Sequence, residues 1–208
     1  MKKFIVFAFM VLFSVSTFSQ TKTTHFVIKT KLGNIIGKLY NDTPLHRDNF
    51  IKLVGEGWYN SSRFHRVING FMIQGGANKD GQMDPGYLIP AEIKSNHYHK
   101  RGALGAARTG DDVNPERKSS GCQFYIIQGR RFKDDELDAI EERFDITFSE
   151  EQRHTYRGLG GAPHLDETYT VFGEITRGMN VVDKIAAVPC EGTQPINPVI
   201  IDIELVEY

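Results

Sequence analysis

Two cysteines among 208 residues exclude a disulfide framework, which needs several closely spaced pairs in a small chain. Cys122 and Cys190 are paired or both free, and Cys122, opening an apolar segment, is expected to be an inert core thiol. Excess charge is also lacking: 25 Lys and Arg stand against 26 Asp and Glu, a net charge of −1. No global field then attracts nucleic acid or an anionic membrane, so binding should be local and mostly apolar. No internal repeat or low-complexity segment is present. The apolar run from Phe4 to Val15 is shorter than the roughly 20 residues needed to cross a bilayer.

That run follows Lys2-Lys3 and precedes the small and polar residues Ser16, Thr17 and Ser19, the pattern of a secretory signal peptide. Cleavage is expected just after Ser19 or Gln20, so residues 1–20 form the signal peptide and residues 21–208 one domain. The protein is then exported, periplasmic or secreted, with no stable membrane insertion after cleavage.

Alternation of apolar and polar residues predicts a hairpin from His25 to Tyr40 turning at Gly33-Asn34. Thr43 can cap a helix with Pro44 in its first turn and Phe50, Leu53 and Val54 as its apolar stripe. Small residues from Gly102 to Ala107 suit a backbone that a ligand approaches closely. Gln123 to Gln128 and Thr170 to Ile175 have strand character, Met179 to Ala187 reads as a helix, and Ile201, Ile203 and Leu205 mark a final amphipathic strand. Between Gln128 and His164 the pattern is helical instead: Leu137, Ile140 and Phe144 recur at three and four, and Ser149 to Gln152 has capping-box form. The result is a mainly β protein with helices at its ends and a helical insertion near 133–157.

Residues 64–76 read Phe-His-Arg-Val-Ile-Asn-Gly-Phe-Met-Ile-Gln-Gly-Gly. A turn at Asn69-Gly70 would place Arg66, Ile68, Met72 and Gln74 on one face of a hairpin. This string resembles the signature of the cyclophilins, the peptidyl-prolyl cis/trans isomerases. The resemblance continues through Ala106-Ala107-Arg108-Thr109, Cys122-Gln123-Phe124-Tyr125 and His164-Leu165-Asp166 to Val171-Phe172-Gly173, and covers nearly the whole chain after residue 20. It implies a closed eight-stranded antiparallel β-barrel capped by two α-helices, and rotation about X-Pro bonds of folding proteins outside the cytoplasm. Proline-containing peptides and unfolded or folding chains are the implied partners, with no cofactor, no metal and no nucleic acid.

The same resemblance assigns catalysis to Arg66, Gln74 and Phe71, and substrate binding to Met72, Ala107, Arg108, Gln123, Tyr125, His164, Leu165 and Tyr169. Arg66 would donate to the prolyl nitrogen, while Phe71, Met72, Tyr125 and Leu165 would hold the proline ring. Gln74 and main-chain groups near Ala107 would anchor the peptide, with Gln123 orienting Arg66. His164 stands where well-studied members carry Trp and Tyr169 where they carry His, so weak cyclosporin binding is expected. Tyr125 replaces a Phe, and its added hydroxyl requires a partner or water. His97, His99 and Glu92 offer too few ligands for a metal and are expected to be exposed loop residues. Asp134-Asp135-Glu136 lacks the spacing and glycine of a calcium loop and suits the start of a helix. A peptide-binding module that catalyses poorly is the rival class, and a hydrolase finds no nucleophile-elbow motif.

Overall fold

The computed structural model describes residues 23–206, so the expected signal peptide lies outside the described residues. Nine short strands form one antiparallel sheet: β1 (His25–Thr30), β2 (Gly33–Leu39), β3 (Ser62–Phe64), β4 (Arg66–Ile68), β5 (Met72–Gly75), β7 (Ala103–Ala106), β9 (Phe124–Ile127), β10 (Val171–Arg177) and β13 (Val199–Val206). Their order, β3-β13-β1-β2-β10-β7-β9-β5-β4, begins and ends on neighbours in the chain. β3 and β4 are two halves of one bent segment hinged at His65, whose N–H donates to the Gln74 carbonyl at 3.0 Å. The first half pairs with β13 and the second with β5, which closes the sheet into the expected eight-stranded barrel. Closure leaves the barrel no long open edge among the described residues. Short pairs lie outside the barrel, β6 (Leu88–Ile89) with β8 (Ser119–Ser120) and β11 (Cys190–Glu191) with β12 (Gln194–Pro195).

Two helices pack on this barrel, α1 (Pro44–Gly55) and α4 (Met179–Ala186). Phe50 of α1 meets Phe26, Phe124 and Phe172 at ring distances of 5.2, 5.9 and 5.8 Å, and Val182 and Ile185 of α4 are fully buried. Large aromatic and branched side chains thus fill the core, the dominant favourable term in folding. The insertion forms α2 (Asp134–Phe144) and α3 (Glu150–Gly158), as its periodicity predicts. Ser149 Oγ accepts from the Gln152 N–H and Gln152 Oε1 from the Ser149 N–H, completing the capping box. Phe132, Leu137, Phe148 and Tyr156 give it a small core of its own. Asp134, Asp135 and Glu136 occupy the first turn of α2.

Several expectations are corrected. The first hairpin turns at Lys31-Leu32, not Gly33-Asn34, because Thr30 pairs with Gly33 and its hydroxyl donates to the Gly33 carbonyl at 2.8 Å. Thr43 does not cap α1: the Glu92 carboxylate accepts from the N–H groups of Leu45 and His46 at 3.1 and 3.0 Å, and from His46 Nδ1 at 2.7 Å. A full negative charge at the helix N-terminus outcompetes a neutral hydroxyl. Phe144 does not join the insertion core but is 41% exposed, and Leu205 is 38% exposed near the end of β13. Both cysteines are free; burial pushes the Cys122 thiol up to about 11, so it stays a neutral core group.

Glu174 on β10 pairs with Lys38 and Lys100, each at 2.8 Å. Burial alone would raise its pKa, yet the two ammonium groups prevail and hold it at about 2 against an ordinary 4.5. Its folded value lies below the unfolded one, so its contribution is full above 4.5 and is lost as pH falls from there towards 2. Urea titrations across that range should show wild type more stable than Glu174→Gln at neutral pH and the gap closing in acid; a constant gap would contradict it.

Candidate active site

The signature hairpin forms as the Asn-Gly pair predicts. Gly70, with φ +76°, takes the left-handed turn conformation that side chains disfavour. The resulting register sets Arg66 opposite Gln74 and Ile68 opposite Met72. Arg66, Phe71, Met72 and Gln74 therefore face one cavity of about 460 Å³, completed by Ala107, Arg108, Tyr125, Leu165 and Tyr169 from three other parts of the chain. Nine of the eleven residues selected from sequence line this one space.

Within it, Arg66 Nη1 donates to Gln74 Oε1 at 3.0 Å and lies 3.9 Å from Met72 Sδ. Gln74 Nε2 donates to Gln123 Oε1 at 3.1 Å, and Gln123 Nε2 to the Met83 carbonyl at 3.2 Å. Gln123 thus stands behind Gln74, outside the cavity lining, and reaches Arg66 only through it. No carboxylate among the described residues pairs with Arg66, so its guanidinium keeps donors free for a ligand.

The opposite wall is aromatic. Tyr125 and Tyr169 meet edge to face at 6.2 Å, and the Arg108 guanidinium covers the Tyr169 ring at 4.3 Å. Arg108 is held by the Thr168 carbonyl at 2.9 Å and by Asp111, which leaves it a structural clamp on Tyr169. Gly105 lies under the Tyr125 ring so closely that an added Cβ would collide with it. The small-residue run in β7 is thus used by the protein's own tyrosine rather than by a ligand. Both main-chain groups of Ala107 are engaged, its N–H with the Gln123 carbonyl and its carbonyl with the Ser120 N–H. A carbonyl oxygen still has a second lone pair to offer.

His164 does not line the cavity. It packs behind Phe71, with ring centres 5.2 Å apart, and faces an adjoining groove. Burial is the main cause that lowers its pKa below the ordinary 6.5.

Sequence reasoning missed the support of this wall. His99 is 1% exposed rather than an exposed loop residue. Asp166 Oδ1 accepts from the His99 backbone N–H and from Nδ1, both at 2.8 Å, and Nε2 lies 2.9 Å from the Tyr125 hydroxyl. In a neutral ring that donates from Nδ1, Nε2 accepts the Tyr125 proton. Asp166 Oδ2 accepts from the Tyr156 hydroxyl of α3 at 2.5 Å. Burial raises the pKa of both tyrosines, so their hydroxyls remain donors. Tyr125's need for a partner was a usable signal, but 26 residues separate it from His99. His97 bonds Asp42 at 2.7 Å and stacks on Tyr40. Among the described residues no group of three or more His, Cys, Asp or Glu is placed to hold a metal ion, and no helix is long and apolar enough to cross a membrane.

Comparison with known proteins agrees with this geometry. The family model described as cyclophilin type peptidyl-prolyl cis-trans isomerase/CLD matches residues 25–205. A peptidyl-prolyl cis-trans isomerase of Helicobacter pylori is 37% identical over 169 residues, covering 79% of this chain and 81% of the relative. A crystal structure of a Cryptosporidium parvum cyclophilin type isomerase superposes with a TM-score of 0.68 at 23% identity, over 90% of this chain and 99% of that one. A second structure of that protein, in the presence of the dipeptide Ala-Pro, gives 0.66 over 88% and 99%, also at 23% identity.

The buried chain Tyr156–Asp166–His99–Tyr125 should behave as one unit. A double-mutant cycle of Tyr125→Phe and Tyr156→Phe, read by urea unfolding, is expected to give a coupling of about 0.5–1 kcal/mol. Strict additivity would mean that the two hydroxyls are independent.

Proposed function

This chain belongs to the cyclophilin type peptidyl-prolyl cis-trans isomerases, and from that premise we propose that the Arg66 cavity is its catalytic site and that it serves proteins folding outside the cytoplasm. The chemistry requires little. Rotation about an X-Pro bond faces a barrier of about 18–20 kcal/mol because amide resonance is lost, and uncatalysed exchange takes roughly 10–100 s. As the amide twists, the prolyl nitrogen regains a lone pair. Arg66 donates a hydrogen bond to it, and this bond is strongest in the twisted state, which is the condition for acceleration. Gln74 aims the guanidinium through the 3.0 Å bond, and Gln123 holds Gln74.

Phe71, Met72, Tyr125 and Leu165 hold the proline ring so that rotation occurs in the segment before it. Gln74 and the Ala107 carbonyl anchor the peptide. Tyr169, clamped by Arg108, closes the wall. The observation that carries this proposal is a guanidinium with no carboxylate partner among the described residues, beside a cavity of about 460 Å³ walled in part by Phe71, Met72, Tyr125 and Leu165. No proton is transferred and no covalent intermediate forms. Because His164 sits behind Phe71 in place of the family's Trp, cyclosporin binds weakly. The near-zero net charge offers no general attraction to nucleic acid.

Cis-to-trans exchange of an Ala-Pro tetrapeptide should be strongly accelerated by the purified protein, and Arg66→Ala should lower kcat/KM about 10²–10³-fold at equal folded concentration. Peptide binding without acceleration would make the cavity a recognition site instead. Export rests on Lys2-Lys3 and the apolar run up to Val15. N-terminal sequencing of protein recovered outside the cytoplasm should begin at Gln20 or Thr21; an intact Met1 would argue against it.

A further inference from the structure

Beyond the Arg66 cavity a second groove of about 540 Å³ runs along the insertion. Phe71 lines both spaces, so a peptide leaving one meets the other. Phe71, His164 and Phe144 form a row of rings with centres 5.2 and 6.3 Å apart. Phe144 is the residue of the α2 stripe that the insertion core leaves 41% exposed. The three rings make one contiguous aromatic patch beside the Arg66 cavity, the kind of patch that marks a binding surface.

Charge is sorted across α2 in the same sense. Asp134, Asp138 and Glu141 turn to Arg153 of α3 at 3.3, 2.5 and 2.7 Å. Arg143 faces the groove, 5.4 Å over the Phe144 ring, and no carboxylate among the described residues pairs with it. Its chain neighbours Glu142 and Asp145 are exposed and do not line the groove. Arg130 lies 4.0 Å over Phe132 and shares Glu136 at 2.8 Å. The groove is therefore lined by two arginines, aromatic rings and no Asp or Glu.

We propose that this groove receives the client segment beside the proline and selects an acidic side chain there, roughly two to four residues from the proline at about 3.3 Å per extended residue. The assignment rests on the Arg66 cavity being the X-Pro site. A client carboxylate gives Arg143 the planar, two-pronged partner that it lacks. The row of rings takes up the apolar stem and peptide faces of the same segment. The insertion thereby converts a general isomerase groove into one that reads sequence next to the proline.

The test uses labelled peptides with one Ala-Pro and either Asp or Lys about two to four residues before or after it. Dissociation constants come from fluorescence anisotropy and kcat/KM from cis-trans exchange, for wild type, R143E and R143Q. On one side of the proline the Asp peptide should bind about fivefold more tightly than the Lys peptide. R143Q should remove that preference and R143E reverse it, with circular dichroism confirming folded protein. Equal affinities in wild type, or a preference that survives in R143E, would overturn the proposal. Discrimination in binding without any acceleration would leave the groove standing and remove the isomerase assignment of the Arg66 cavity. Acceleration without discrimination would do the reverse.

Discussion

The buried carboxyl of Asp166 is the joint on which the site depends. Its two oxygens accept from the His99 backbone, the His99 ring and the Tyr156 hydroxyl, and it is only 4% exposed. Through His99 it fixes the hydroxyl of Tyr125, whose ring is a wall of the cavity; through Tyr156 it ties down α3 of the insertion. A buried polar group that lost these partners would cost about 1–3 kcal/mol. The insertion is thus fastened to the back of the cavity by hydrogen bonds, with its own apolar core held apart from the barrel's. The binding wall and the added helices thus share one buried anchor.

On the other side of the cavity the constraint is electrostatic. Arg66 places its guanidinium beside Phe71 and Met72 with no carboxylate among the described residues to neutralise it. A counterion there would hold the guanidinium in its own ion pair and leave it fewer donors for a ligand. Gln74 and Gln123 solve the problem with neutral amides: they fix direction while leaving the charge intact. The same logic separates Arg66 from Arg108, whose charge is spent on Asp111 and whose guanidinium serves as a lid on Tyr169.

Local features were legible in the sequence because their causes are local. The Asn69-Gly70 turn, the face shared by Arg66, Met72 and Gln74, and the Ser149 capping box each involve residues within about one hairpin or one helical turn of each other. The helical character of the insertion and the start of its second helix followed from period and the Ser149 capping box. Errors arose where a distant group won a local competition. Glu92 displaced Thr43 as the cap of α1 from 46 residues away. His99, which looked like a loop residue, is drawn inside by Asp166 from 67 residues away. Phe144 follows the apolar stripe but faces a groove whose far wall is Phe71 and His164.

By itself, the sequence determined the family, the strand and helix pattern, and nine residues of one cavity, because alternation, turn chemistry and a dense motif are properties of short stretches. Only the tertiary structure decided that Gln123 acts through Gln74, that His164 lies behind Phe71, and that Tyr125 finds its partner in His99. It also decided that Arg66 and Arg143 find no carboxylate partner among the described residues. Those outcomes depend on which distant polar groups come within about 3 Å of each other when the barrel closes. No period or spacing along the chain encodes that distance.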